Sequence, residues 1–180
     1  MSGSVDGIEG IYHINLNCRD FETSLAFYKK LGFEVVMHFP AASNEEMGRG
    51  LGVSGQRMFG ALLRLGTNRL SARLDLLQWT SPAANNDAAA AVQDLGFVRL
   101  ALWCSAPSFD SVVDRLRASG IAFIADPVRI ETGAEPVRFV CFRDPDGNIV
   151  ELVARPAGKD AGKASAPRTD DIENLTGMGE

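Results

Sequence analysis

The two halves of this chain run through the same order of elements, and that leaves few architectures open. Residues 11–18 (IYHINLNC) alternate as a strand does, and 21–31 (FETSLAFYKKL) follow with helical spacing. Leu25, Phe27, Tyr28 and Leu31 form the apolar stripe of this helix. Asp20 is placed to cap its start and Gly32 to end it. Segments 33–39 (FEVVMHF), 58–65 (MFGALLRL) and 72–79 (ARLDLLQW) read as strands. The second half replays this order. Residues 98–104 (VRLALWC) are a strand, and 109–119 (FDSVVDRLRAS) a helix with apolar Val112, Val113 and Leu116, closed by Gly120. Strands at 121–125 (IAFIA), 137–143 (VRFVCFR) and 148–154 (NIVELVA) complete it. The expected fold is α+β: two βαβββ modules, 11–80 and 96–155, pairing into a curved-sheet cleft. A connector over 81–95 joins them, and a polar tail over 156–180 is expected to be mobile.

Composition narrows the function. Eighteen Lys+Arg against 23 Asp+Glu give the 180 residues a net charge of −5. That balance argues against a general nucleic-acid binder, whose affinity comes from neutralising phosphates. No apolar run approaches the ~18–20 residues that span a bilayer. The first residues, MSGSVDG, carry neither the basic nor the apolar region of a signal peptide. Cys18, Cys104 and Cys141 are odd in number and lack Cys-x-x-Cys spacing, so they are expected to be buried free thiols in a reducing, cytoplasmic setting. The Asn174-Leu175-Thr176 sequon then carries no meaning.

Three local patterns invite function. Residues 40–57 (PAASNEEMGRGLGVSGQR) interrupt the first module where the second has only 126–136, and a loop of this length suggests a flap over a pocket. Within it, Gly50-Leu51-Gly52-Val53-Ser54-Gly55 matches a dinucleotide string. That string needs a following helix, and a strand follows here, so no nucleotide site is expected. Asp144-Pro145-Asp146-Gly147-Asn148 lacks the Gly and Glu positions of a calcium loop and reads as a tight turn between strands.

The informative residues come from the repeat itself. Asp75 and Glu151 hold matching places in the last strands, and His13 and Arg99 in the first strands. All four interrupt apolar strands, where an isolated charge is expensive. Strand alternation puts His13, Asn15 and Asn17 on one face, Arg99, Ala101 and Trp103 on another, and Ile149, Glu151 and Val153 together. Recurrence at equivalent places favours one shared cleft over four separately solvated side chains. His13, Arg99, Glu151 and Asp75 are therefore the catalytic candidates, with Asn15, Asn17, Trp79, Trp103 and Phe139 as substrate-binding ones.

At these residues the sequence resembles the vicinal oxygen chelate superfamily of glyoxalases, extradiol dioxygenases, methylmalonyl-CoA epimerase and the fosfomycin and bleomycin resistance proteins. The strings that carry the resemblance are Tyr12-His13-Ile14-Asn15-Leu16 leading into 24–33 (SLAFYKKLGF), and 142–152 (FRDPDGNIVEL). It covers about 11–155 and implies a small-molecule site, often in a homodimer, with no nucleic-acid or membrane partner. In metal-dependent relatives His13 would match the first-strand ligand, Glu151 the final carboxylate, and Asp75 a place where glyoxalase-like members carry Glu. Arg99 departs from the pattern, because it stands where His is common and a guanidinium has no lone pair to give. Two cofactor states stay open: a divalent metal on His13, Asp75 and Glu151, or none. Without metal, Arg99 would stabilise a developing enolate or phenolate oxygen, Glu151 or Asp75 would act as base, and His13 would shuttle protons. Alternatively, Arg99 merely neutralises the two acids. The resemblance thus implies a lyase- or isomerase-like enzyme acting on an oxygenated, partly aromatic metabolite. The alternative is a binding protein of the bleomycin-resistance kind, and the third reading a metal-dependent ring-cleaving dioxygenase.

Overall fold

Period-two apolar segments must pair, and the order in which they pair decides where the charged residues end up. A computed structural model describes residues 10–43, 45–67, 71–84, 91–131 and 136–155. Strand β1 (His13–Asn17) leads into α1 (Phe21–Lys30), followed by β2 (Phe33–Ala42), α2 (Glu45–Leu51), β3 (Arg57–Leu65) and β4 (Arg73–Ser81). The second module runs β5 (Arg99–Ser105), a 3-10 turn (Ala106–Ser108), α3 (Phe109–Ala118), β6 (Val128–Ile130), β7 (Val137–Arg143) and β8 (Ile149–Arg155). Each module forms a four-stranded mixed sheet, in the orders β1-β4-β3-β2 and β5-β8-β7-β6. β1 runs parallel to β4 and β5 parallel to β8, as the crossover through a helix requires. The α+β class and the two modules expected from the repeat are what the chain adopts. The tail after 155 and residues 85–90 of the connector lie outside the described residues.

Local chemistry explains the helices. The Asp20 side chain accepts from the Thr23 N–H at 2.8 Å, satisfying one of the free donors at the start of α1. The chain leaves α1 and α3 through Gly32 and Gly120, both at positive φ, where a side chain would be strained. α1 buries Phe21, Ser24, Leu25 and Tyr28, and α3 buries Phe109, Val113 and Leu116, each against one face of its own sheet. Phe27, Leu31 and Leu102 pack against both cores, so the apolar interior is continuous across the module boundary.

Two sequence expectations need correction. Residues 121–125 are not a strand: Phe123 makes one isolated bridge to Phe142, and the true strand β6 starts only at Val128. Pro127, which has no N–H to give, precedes it. Residues 40–57 are also not one long loop. β2 continues to Ala42 and α2 occupies much of the remainder, held by the close approach of Gly48 to the Val53 carbonyl and the buried Gln56 side chain.

The 144–148 turn does more than reverse the chain. The buried Asp144 carboxylate accepts from the Asp146 and Asn148 N–H groups (3.0 and 2.8 Å), from Asn148 Nδ2 (2.9 Å) and from the Tyr28 hydroxyl of α1 (2.9 Å). Asp146 in turn accepts from the Arg19 N–H and the Ser24 hydroxyl. One turn of the second module is therefore clasped to the helix of the first.

Candidate functional site

Each sheet packs its helix on one face and leaves the other open, and register places the candidate residues on the open faces. In the first sheet Asn15 lies beside Asp75, which in turn lies opposite Leu62. His13 Nε2 is 4.0 Å from Asp75 Oδ2, with the imidazole well exposed and the carboxylate only 14% exposed. Asn15 Nδ2 donates to the Asp75 main-chain carbonyl at 3.2 Å. The Trp79 indole N–H donates to Asn17 Oδ1 at 2.9 Å, so these two hold each other in place. Asp75 Oδ1 is buried with no hydrogen-bond partner. Burial raises the Asp75 pKa, and the nearby His13 charge and then the Asn15 side chain pull only partly in the other direction. A buried carboxylate oxygen left without a donor costs stability, and such a group is commonly explained by a ligand or a proton.

The second sheet repeats this geometry with different chemistry. Arg99 pairs in register with Ile149 and Ala101 with Glu151, the same offset that relates His13 and Asp75. Arg99 Nε lies 3.0 Å from Glu151 Oε2, and Glu151 is 12% exposed. Cys141 stands opposite Glu151 across the β7–β8 ladder and shares this face. Burial and then the Glu151 charge push its thiol pKa up, while Arg99 opposes them through its charge and a hydrogen bond. Phe139 and Trp103 both register with Val153 and give this end of the face its apolar character.

The candidates thus fall into two couples, His13 with Asp75 and Arg99 with Glu151, and each couple is closed within its own sheet. Among the described residues no ion pair joins the two couples, and Arg99 does not reach Asp75. Nor do any three His, Cys, Asp or Glu side chains among them gather closely enough to hold an ion. The set His13, Asp75 and Glu151 therefore does not fit a metal within one chain, and the residue beside Glu151 is a cation. His38, the other histidine, lies on the helix side with its ring 6.4 Å from Phe21.

Cys141 was missed by sequence reasoning, which took all three thiols as buried. Cys18 is buried, but Cys104 and Cys141 are half-buried. The signal was available, since Cys141 shares the parity of Phe139 along β7. The clasping role of Asp144 and Asp146 left no such signal, because it depends on packing between modules.

Two βαβββ units with a parallel outer pair in each sheet define a paired-module class of fold. The family model described as Glyoxalase/Bleomycin resistance protein/Dioxygenase superfamily matches residues 10–152, and the chain belongs to that superfamily. A glyoxalase family protein from Bacillus cereus superposes with a TM-score of 0.70 at 19% identity, covering 86% of this chain and 97% of that one. A glyoxylase/bleomycin resistance protein/dioxygenase domain from Frankia sp. EAN1pec gives 0.60 at 17% identity over 85% and 96%. A glyoxalase family protein from Enterococcus faecalis gives 0.57 at 22% identity over 81% and 98%. At these identities the likeness shows the fold alone. Among curated proteins, none matches the chain in sequence.

Proposed function

We propose that this protein is a lyase- or isomerase-like enzyme that moves a proton on a small, oxygenated, partly aromatic metabolite, without a metal ion. The observation that carries the reading is Asp75: a half-buried carboxylate with one buried oxygen unpartnered, a raised pKa and an exposed imidazole 4.0 Å away. Such a group is poised to take a proton from carbon, and His13 is placed to exchange that proton with solvent. On the other sheet Arg99, held by Glu151, offers fixed positive charge to the oxygen on which negative charge develops. Because Glu151 is engaged by Arg99, Asp75 is the better base. Trp103, Phe139 and Trp79 supply apolar surface for the body of the ligand, and Asn15 and Asn17 polar contacts. One ligand spanning both couples would complete the site.

The second reading, binding without chemistry, is favoured by the Arg99–Glu151 pair itself, which is satisfied as it stands. A metal-dependent ring-cleaving reaction is disfavoured by the guanidinium at position 99. A second copy of this chain is the partner proposed for the outer edges of β1 and β5. Ile11 and Tyr12 are 67% and 66% exposed just before β1, and Trp103 is 61% exposed on β5.

A thermal-shift screen of phenolic, dicarbonyl and acyl-thioester metabolites finds the ligand, since a specific binder raises Tm with occupancy. Proton exchange of that ligand in D2O is then followed by NMR. The expected result is a loss of about 10²–10⁴-fold in exchange for Asp75→Asn with binding retained. Arg99→Ala is expected to weaken both. No exchange in the wild type would leave the binding-protein reading. An effect of Arg99→Ala without any of Asp75→Asn would refute a site shared by the two sheets.

A further inference from the structure

The two modules are not equal, and the difference shapes a second concavity where α1 meets the second module. In the first module Phe33–Ala42 follows the glycine that ends α1 and zips onto β3 as a ten-residue strand. In the second module the equivalent segment after Gly120 is held to the sheet at Phe123 and by the Ile124 N–H donating to Cys141 O, and β6 has only three residues. The apolar stretch 121–124 consequently runs from a buried Ile121 to an Ile124 that is 52% exposed. Together with Phe27 and Lys30 of α1 and with Arg143, Asp144 and Pro145, it lines a groove of about 570 Å³ between the modules. None of His13, Asp75, Arg99 or Glu151 lines it.

Its chemistry is specific. Phe27, Ile121, Phe123, Ile124 and Pro145 make apolar walls, and two cations stand among them. Lys30 Nζ donates to the Ser119 main-chain carbonyl at 3.3 Å, and Arg143 Nη1 to that of Gly147. Among the described residues neither is within ion-pair distance of a carboxylate. The one acid in the lining, Asp144, is buried, with both oxygens already accepting hydrogen bonds. The groove is open to solvent and offers positive charge beside apolar surface. Charge complementarity calls for an anion with an apolar body.

We propose that this groove is a second ligand site, taking an amphipathic monocarboxylate whose acid group meets Lys30 and Arg143 and whose chain lies against Phe27, Phe123 and Ile124. None of the side chains assigned to the proton-transfer chemistry is among its walls. Because both modules supply walls, an occupant ties them together.

Octanoate, with octan-1-ol as the uncharged control, tests this on the full chain by calorimetric titration and amide NMR. Octanoate is expected to bind saturably, to shift amides at 120–124 and 143–145, and to bind about tenfold more tightly than the alcohol, the scale of one charge-assisted contact. Lys30→Glu is expected to abolish that preference, and Ile124→Asp to weaken both ligands. Lys30 is exposed and Ile124 half exposed, so both variants should fold, which the unchanged remainder of the amide spectrum checks. The proposal is overturned if no saturable binding occurs, if the alcohol binds as well as the acid, if Lys30→Glu leaves the preference intact, or if the shifted amides belong to β1, β4, β5 or β8.

Discussion

Removing one oxygen atom tests how strongly the two modules are fastened. Tyr28→Phe deletes the hydroxyl that donates to Asp144 Oδ2 at 2.9 Å and leaves the ring in place between Phe27 and Phe33, whose centroids lie 5.3 and 5.5 Å away. A hydrogen bond to a charged acceptor contributes about 1.5–3 kcal/mol. Here Oδ2 keeps a second donor, Asn148 Nδ2, so no orphaned oxygen adds to the loss. The expected cost is about 2 kcal/mol, or about 4–8 °C in Tm for a chain of this size. Urea denaturation at pH 7 measures it, with an unchanged slope showing that the folded state is intact. The pH dependence adds a second check. Burial, reinforced by the Asp144 charge, raises the phenol pKa above its ordinary value of 10. The folded state then holds this proton more tightly than the unfolded chain, so stability is full below pH 10 and falls as pH rises beyond it. Tyr28→Phe removes that alkaline loss. A cost below about 0.5 kcal/mol at pH 7, within the range of ordinary surface changes, would refute the clasp as a source of stability.

Other perturbations probe the open face and the strands. Asp75→Asn is expected to stabilise the fold by about 1 kcal/mol at pH 7, because it removes a carboxylate held in an unfavourable setting. The sign follows from the raised pKa: wild-type stability improves as pH falls and Asp75 takes up its proton, so the gap to the variant should close in acid. A variant less stable than wild type at pH 7 would show that Asp75 is well satisfied. Gly60→Ala is expected to cost about 3 kcal/mol or more, since its Cβ would sit 2.0 Å from the Leu76 carbonyl oxygen and backbone would have to move. Thermal denaturation checks it, and a loss under 1 kcal/mol would contradict this packing of β3 on β4.

Much of the fold was legible because the repeat supplied the same pattern twice. Asp20, Gly32 and Gly120 marked the helix ends, and the parity of His13, Asn15 and Asn17 against Ile14 and Leu16 set the faces of β1, although only Leu16 packs on the core and Ile14 stays 38% exposed. Where the sequence misled, local pattern and tertiary pairing disagreed. The run at 121–125 has strand composition, yet a strand needs a partner, and the segment meets the sheet only around Phe123. The stretch 40–57 looked like a loop because Gly48, Gly50 and Gly52 mask the short helix α2. The couples His13–Asp75 and Arg99–Glu151 followed from register, which the repeat implied. That each closes within its own sheet depends on side-chain reach, which no spacing rule encodes.

Phe27, Leu31 and Leu102 are common property of the two interiors, and this has a consequence for how the chain comes apart. Two copies with separate cores would melt like beads on a string. Here, detaching either half strips those three side chains of their neighbours across the boundary and bares an oily seam. Denaturation is therefore expected to be a single cooperative event, with damage in one copy felt by the other.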